Sequence, residues 1–195
     1  MRFVLALAIL AFSPTLAMAH TGAGDTMGFL HGFAHPLGGL DHVLAMLAVG
    51  ILAAVLGGRA LWLIPLSFLS VMLLGFALGL LQVELPLVEL GIALSSVAIG
   101  LAAMTRHPLP LSAAMTLVAV FAVFHGHAHG AEMPATTEGL GYAAGFLSAT
   151  ALLHLAGLAG IIGMVRLTGR HARLVSRIAG GAIALGGVGV LSGWL

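Results

Sequence analysis

An all-α, polytopic integral membrane protein is the fold class that this 195-residue sequence predicts, on three observations. Hydrophobic residues make up 61% of the chain and charged residues 7%, far from the roughly 45–50% apolar content of a soluble domain. Apolar windows of about 20 residues recur, each long enough to cross a hydrocarbon core of roughly 30 Å. The basic residues, all arginine, fall only in alternate gaps between those windows once the first is set aside. With no cysteine in the chain, disulfides, thiolate metal sites and cysteine nucleophiles are excluded. A net charge of +1 without any basic run gives no sign of nucleic-acid binding.

In chain order, "MRFVLALAILAFSPTLAMAH" has an early Arg2, an apolar run from Phe3 to Phe12 and the small-residue pattern Ala17-Met18-Ala19. That is the layout of a secretory signal peptide over residues 1–19, with cleavage expected before His20. Residues 20–195 then form one membrane domain with six expected spans, at about 39–57, 60–82, 85–105, 109–129, 139–164 and 173–195. Turn signals separate them: Gly57-Gly58-Arg59, Glu84-Leu85-Pro86, Arg106-His107-Pro108, Met133-Pro134 and the segment from Arg166 to Arg173. Arg59 and Arg106 lie in alternate loops and Arg166, Arg170, Arg173 and Arg177 around the link between the fifth and sixth spans, all on the side that the positive-inside rule assigns to the cytoplasm. Asp25, Glu84, Glu132 and Glu138 lie in the other loops or before the first span. The mature N-terminus is therefore expected in the periplasm, with the chain in the bacterial inner membrane. Glycines at Gly75-x-x-x-Gly79, Gly141-x-x-x-Gly145 and across "GGAIALGGVGVLSG" are read as helix-packing positions.

Within that topology seven histidines, counting His20 at the mature N-terminus, come to the outer side. His31, His35, Asp41 and His42 lead into the first span, and "FHGHAHGAE", carrying His125, His127, His129 and Glu132, closes the fourth. His42 and His125 are expected within about 6 Å of the outer boundary at 1.5 Å per residue. His125 and His129 are spaced i, i+4, so two imidazoles share one helix face, and His42 and Met46 stand in the same relation. Asp41 is placed either to ligate or to orient the His42 ring through its other nitrogen. Pro36, Gly38 and Gly39 are expected to break the helix and let His35 fold back toward His42. The pattern H-G-x-A-H occurs twice, at 31–35 and 125–129.

Ionisable groups at membrane depth cost roughly 2.5–3.5 kcal/mol each on insertion scales, so a cluster of them marks a pathway rather than polar caps. Imidazole with carboxylate suits Zn, Ni, Co, Cu(II) or Fe, and the donor set alone takes the choice no further than a borderline divalent transition metal. "HPLGGLDH" (35–42) and "FHGHAHGAE" (124–132) resemble the two signatures of the HupE/UreJ family of nickel permeases. The leader, the six spans and the chain length are similar too, so the resemblance covers essentially the whole chain. It implies a permease for Ni²⁺, with Co²⁺ as the other candidate, supplying hydrogenase or urease maturation proteins and holding no prosthetic group. Carried over by position, it makes His35, Asp41, His42, His125, His129 and Glu132 the motif residues. His127 stands at a variable position of the second motif.

His154, about 15 residues into the fifth span and so about 22 Å from its outer end, is either a second station along the path or a histidine bonded to a neighbouring helix. Glu89 is expected to snorkel outward, and His107 and His171 to be solvated on the cytoplasmic side. No nucleotide-binding loop is present, so facilitated diffusion or ion-coupled transport is expected. Two other classes use the same cluster: a membrane metal-dependent hydrolase with Glu132 as base, and an accessory subunit that binds metal without moving it. The first is disfavoured because H-E-x-x-H is absent and no nucleophile is expected to pair with a histidine.

Overall fold

A computed structural model of the protein describes residues 24–105, 109–134 and 137–195. The expected leader, His20, Arg106 and His107 lie outside the described residues, as do the side chains of Asp25 and Arg170. Every regular element among the described residues is a helix: α1 Gly24–Gly38, α2 Leu40–Leu56, α3 Ala60–Leu80, α4 Val88–Met104, α5 Leu111–Ala131, α6 Gly139–Thr168 and α7 Ala172–Leu191, with one turn of 3-10 helix at Gly169–His171.

Four of these are long and apolar enough to cross a membrane: α3, α5, α6 and α7 from Arg173 onward. α4 is apolar but has 17 residues, about 26 Å of helix at 1.5 Å per residue, a little short of a bilayer core. α1 and α2 pass the same test only as a pair, bent by 86° at their junction. Residues 24–38, expected as a lead-in, thus form a helix of their own. The bend falls at Gly39, whose backbone is extended (φ −106°, ψ 123°), while Pro36 stays inside α1. Proline there removes one N–H, which the end of a helix tolerates better than its middle.

The exterior is apolar and the interior holds the polar groups. Trp62, Leu66, Leu74, Leu152, Leu155 and Leu185 are exposed, whereas Ser95, Ser96, His125, His129, Thr150 and His154 are buried. A soluble protein rarely exposes so much contiguous apolar surface, and lipid tails would cover it.

Glycine sets the helix spacing where the histidines lie. Gly75 and Gly79 of α3 stand against the backbone of Val123 and His127, while Gly126 and Gly130 of α5 stand against Met72 and Phe76. A Cβ at any of the four would overlap a backbone carbonyl of the other helix. These contacts advance in step along both helices, so α3 and α5 run parallel. Gly50 of α2 and Gly157 of α6 make a second close crossing, against His154 and Leu47 respectively.

Candidate metal site

His42 sits in the first turn of α2, just past the Gly39 bend. Asp41 precedes it and uses one oxygen twice: the His42 backbone N–H donates to Oδ1 at 2.8 Å, and the ring Nδ1–H donates to the same atom at 3.1 Å. Of the two roles expected for Asp41, the geometry is that of an orienting group. With its proton held on Nδ1, the ring turns a lone pair at Nε2 inward, where that nitrogen is buried and has no protein partner.

His125 is oriented in the same manner by a residue that sequence reasoning missed. The Ser95 hydroxyl of α4 donates to the Ile92 carbonyl and lies 3.0 Å from His125 Nε2. Its single proton is committed to Ile92, so it accepts from the imidazole. His125 must then carry its proton on Nε2, leaving Nδ1 as a lone pair, buried and unpartnered. The expectation that no nucleophile pairs with a histidine is therefore corrected, although a hydroxyl that accepts from the ring and is fully buried is not one activated for attack. The sequence signal was present: after Glu89, Ser95 and Ser96 are the only polar residues of α4.

His129, one turn above His125, stacks its ring on Phe146 of α6 at 4.8 Å and also leaves a buried Nδ1 without a partner. The His42 ring centre is 4.8 Å from that of His125 and 5.2 Å from that of His129. Imidazoles sharing one ion, with bonds near 2 Å, hold their ring centres roughly 4.5–5.2 Å apart. The spacing fits, but among the described residues no three side chains already form a ready-made metal group. The rings meet edge to face, at 85° and 65°, so closing on one ion would require them to rotate.

Above these lies a more exposed layer. His35, from α1, places its ring 4.9 Å from that of His129, and its Nε2 is 3.0 Å from Glu132 Oε2. Glu132 caps the C-terminus of α5. His35 was expected to fold back toward His42; it packs instead against His129 and Glu132, and from the end of a helix rather than from a loop. His31, one turn earlier, is exposed. His127 points elsewhere: its Nε2–H donates to the Val83 carbonyl at 2.7 Å, and it lines a separate cavity of about 550 Å³ with Gln82, Val83 and Glu84. Glu89 is exposed in the first turn of α4.

His154 is buried with neither ring nitrogen partnered, so it is not the hydrogen-bonded helix contact that was one of its two expected roles. It meets the Phe68 ring edge to face at 5.2 Å, and Phe68 in turn lies 5.6 Å from His125. One phenylalanine therefore separates the two histidines. The cluster is itself recessed, because His129 is level with Phe146, seven residues or about 10 Å into α6. His154 follows eight residues later, about 12 Å along the helix. His154 keeps its expected place, 15 residues or about 22 Å into α6, and only Phe68 stands between it and His125.

A family model described as HupE / UreJ protein matches residues 7–190. The curated protein named Protein HupE, from Rhizobium leguminosarum bv. viciae, is 44% identical over 181 residues, which is 92% of each chain. No solved structure matches. With nearly the whole length matched in both comparisons, the chain belongs to the HupE / UreJ family.

Proposed function

We propose that this protein is a permease for Ni²⁺, with Co²⁺ as the second candidate cargo, in the bacterial inner membrane. Helices α2 to α7 are taken as its six spans, entered from the periplasm after removal of residues 1–19. Metal is captured by His42, His125 and His129, with His35 and Glu132 at the mouth and Asp41 behind His42. His154 receives the ion next. The metal then supplies maturation proteins of a hydrogenase or urease. The observation that carries the proposal is the set of three buried imidazole nitrogens without protein partners: His42 Nε2, His125 Nδ1 and His129 Nδ1.

Leaving three such nitrogens unsatisfied in a membrane interior is costly, and an ion that uses them offsets the cost. Asp41 and Ser95 each fix which nitrogen is presented, the usual arrangement around metal-binding histidines. Release inward requires that the site not close too tightly, and rings that must rotate to meet the ion keep binding moderate. A membrane hydrolase finds little support in the Ser95–His125 pair, because Ser95 is fully buried and its proton is engaged.

Uptake of radioactive Ni²⁺ by vesicles containing only the purified chain is the test, with ester and peptide hydrolysis assayed in parallel. Saturable uptake without hydrolysis is expected. Binding without uptake would make the protein an accessory subunit, and metal-dependent hydrolysis would make it an enzyme.

A further inference from the structure

The end of the molecule opposite the histidines holds a cavity of about 910 Å³. Its walls come from the last turns of α2 (Ala54, Val55), α4 (Ala103, Thr105) and α6 (Ile161 to Arg166), and from the first turns of α7. Three arginines, Arg166, Arg173 and Arg177, line it together. Arg173 and Arg177 are four residues apart and so share one face of α7. The Arg177 Nε–H donates to the Met104 carbonyl at 3.1 Å, which fixes that guanidinium against the end of α4.

Among the described residues no carboxylate lines the cavity, and Asp41, Glu84, Glu89, Glu132 and Glu138 lie in or beside the turns at the histidine end. Retaining arginines in loops satisfies the positive-inside rule wherever the side chains point. Gathering three around one partly apolar cavity is a stronger condition, because like charges repel; Arg177 is half-buried there, while Arg166 and Arg173 are exposed.

We propose that this cavity binds an anionic phospholipid, with its phosphate held by Arg166, Arg173 and Arg177 and an acyl chain on Val55, Ile162 and Val165. Guanidinium binds phosphate through paired N–H donors, and basic pockets between helices at the inner leaflet suit such headgroups. The apolar half of the wall distinguishes a lipid from free phosphate, which has nothing to place there. A phosphate at this end would also lower the positive potential facing a divalent cation on its way out.

The test reads lipid retention rather than metal uptake, so its failure would leave the proposed transport function standing. The full-length protein, purified from a mixture of phosphatidylglycerol and phosphatidylcholine, is examined by native mass spectrometry. Retained lipid should be mostly phosphatidylglycerol, and the preference should fall by more than about tenfold in the Arg166→Gln/Arg173→Gln protein. The Arg166→Lys/Arg173→Lys protein, which keeps the charge and the topology signal, should retain an intermediate preference and guards against a folding failure of the glutamine variant. Equal retention of the two lipids by the unaltered protein would overturn the proposal. So would a preference that survives the glutamine changes, or complete displacement of phosphatidylglycerol by inorganic phosphate, which would mark a site for the free anion.

Discussion

Replacing Ser95 with alanine removes one oxygen atom that touches no metal, yet it should weaken metal binding. Ser95 Oγ is the acceptor that keeps the His125 proton on Nε2, at 3.0 Å. Without it the proton is free to move to Nδ1, the buried nitrogen that has no protein partner, and the ring loses the lone pair it would offer an ion there. Outer partners of metal-binding histidines typically contribute 10–100-fold in affinity, so an increase in Kd of about 10–100-fold is expected, equivalent to roughly 1.4–2.7 kcal/mol. The effect on stability should be smaller, since interhelical hydrogen bonds in membranes average only about 0.6 kcal/mol. Calorimetric Ni²⁺ titration of the purified protein in lipid nanodiscs, beside its thermal midpoint, separates the two quantities. A thermodynamic cycle adds specificity: if Ser95 acts only through His125, Ser95→Ala should cost nothing further in a His125→Ala background. An unchanged Kd in Ser95→Ala, or full additivity in the cycle, would refute the tautomer argument.

Other expectations follow from the same geometry. Gly126→Ala, whose Cβ would overlap the Met72 carbonyl, should lower stability by about 1–3 kcal/mol. By contrast Gly160→Ala, with nothing within 4 Å of its new Cβ, should be neutral or slightly stabilising; thermal unfolding in detergent ranks the pair. Acidification should lower Ni²⁺ affinity in vesicles without a pH gradient, because each protonated imidazole is a lost ligand, and tighter binding at lower pH would contradict imidazole ligation. His154→Ala should leave equilibrium Ni²⁺ binding near normal while slowing initial uptake, and unchanged uptake at matched protein level would remove it from the path. An impermeant maleimide applied to intact cells should label Glu84→Cys but not Arg59→Cys, and the reverse pattern would invert the topology.

Much of the fold was legible because lipid allows so few solutions: apolar windows, glycine and proline punctuation and arginine placement located α2 to α7 to within a few residues. What was missed had weaker signals. α1 carries histidines, glycines and a proline through its length, and no periodic apolar stripe distinguishes such a segment from a loop. Its helix is stabilised by packing on α6, where Gly32 lies against the Tyr142 backbone and Gly145 against Phe29 and Phe33, contacts that span more than a hundred residues. The aromatic rings of Phe68, Tyr142 and Phe146 were unreadable for a related reason. In an apolar sequence nothing distinguishes a phenylalanine beside a histidine from one facing lipid.

The second motif shows how closely ligand chemistry and helix packing are bound together in so few residues. Successive side chains on an α-helix turn by about 100°, so HGHAHG from His125 to Gly130 distributes itself over three directions. His125 and His129 take the face toward His42, while Gly126 and Gly130 take the face against α3. His127 is left to bond the Val83 carbonyl. The glycines are therefore not spacers between ligands. They let α5 approach α3 backbone to backbone, and that approach seals the histidines away from lipid. The same logic holds at the other H-G-x-A-H. Gly32 meets the backbone of α6 as Gly126 meets that of α3, and the closing histidine of each motif, His35 or His129, turns toward the other. Whether or not the two segments share an origin, each solves one problem: a polar side chain can stay in an apolar helix bundle only if the neighbouring backbone comes close enough to exclude everything else. A larger residue at either glycine would separate the helices and open the histidines to lipid, with every ligand side chain still present.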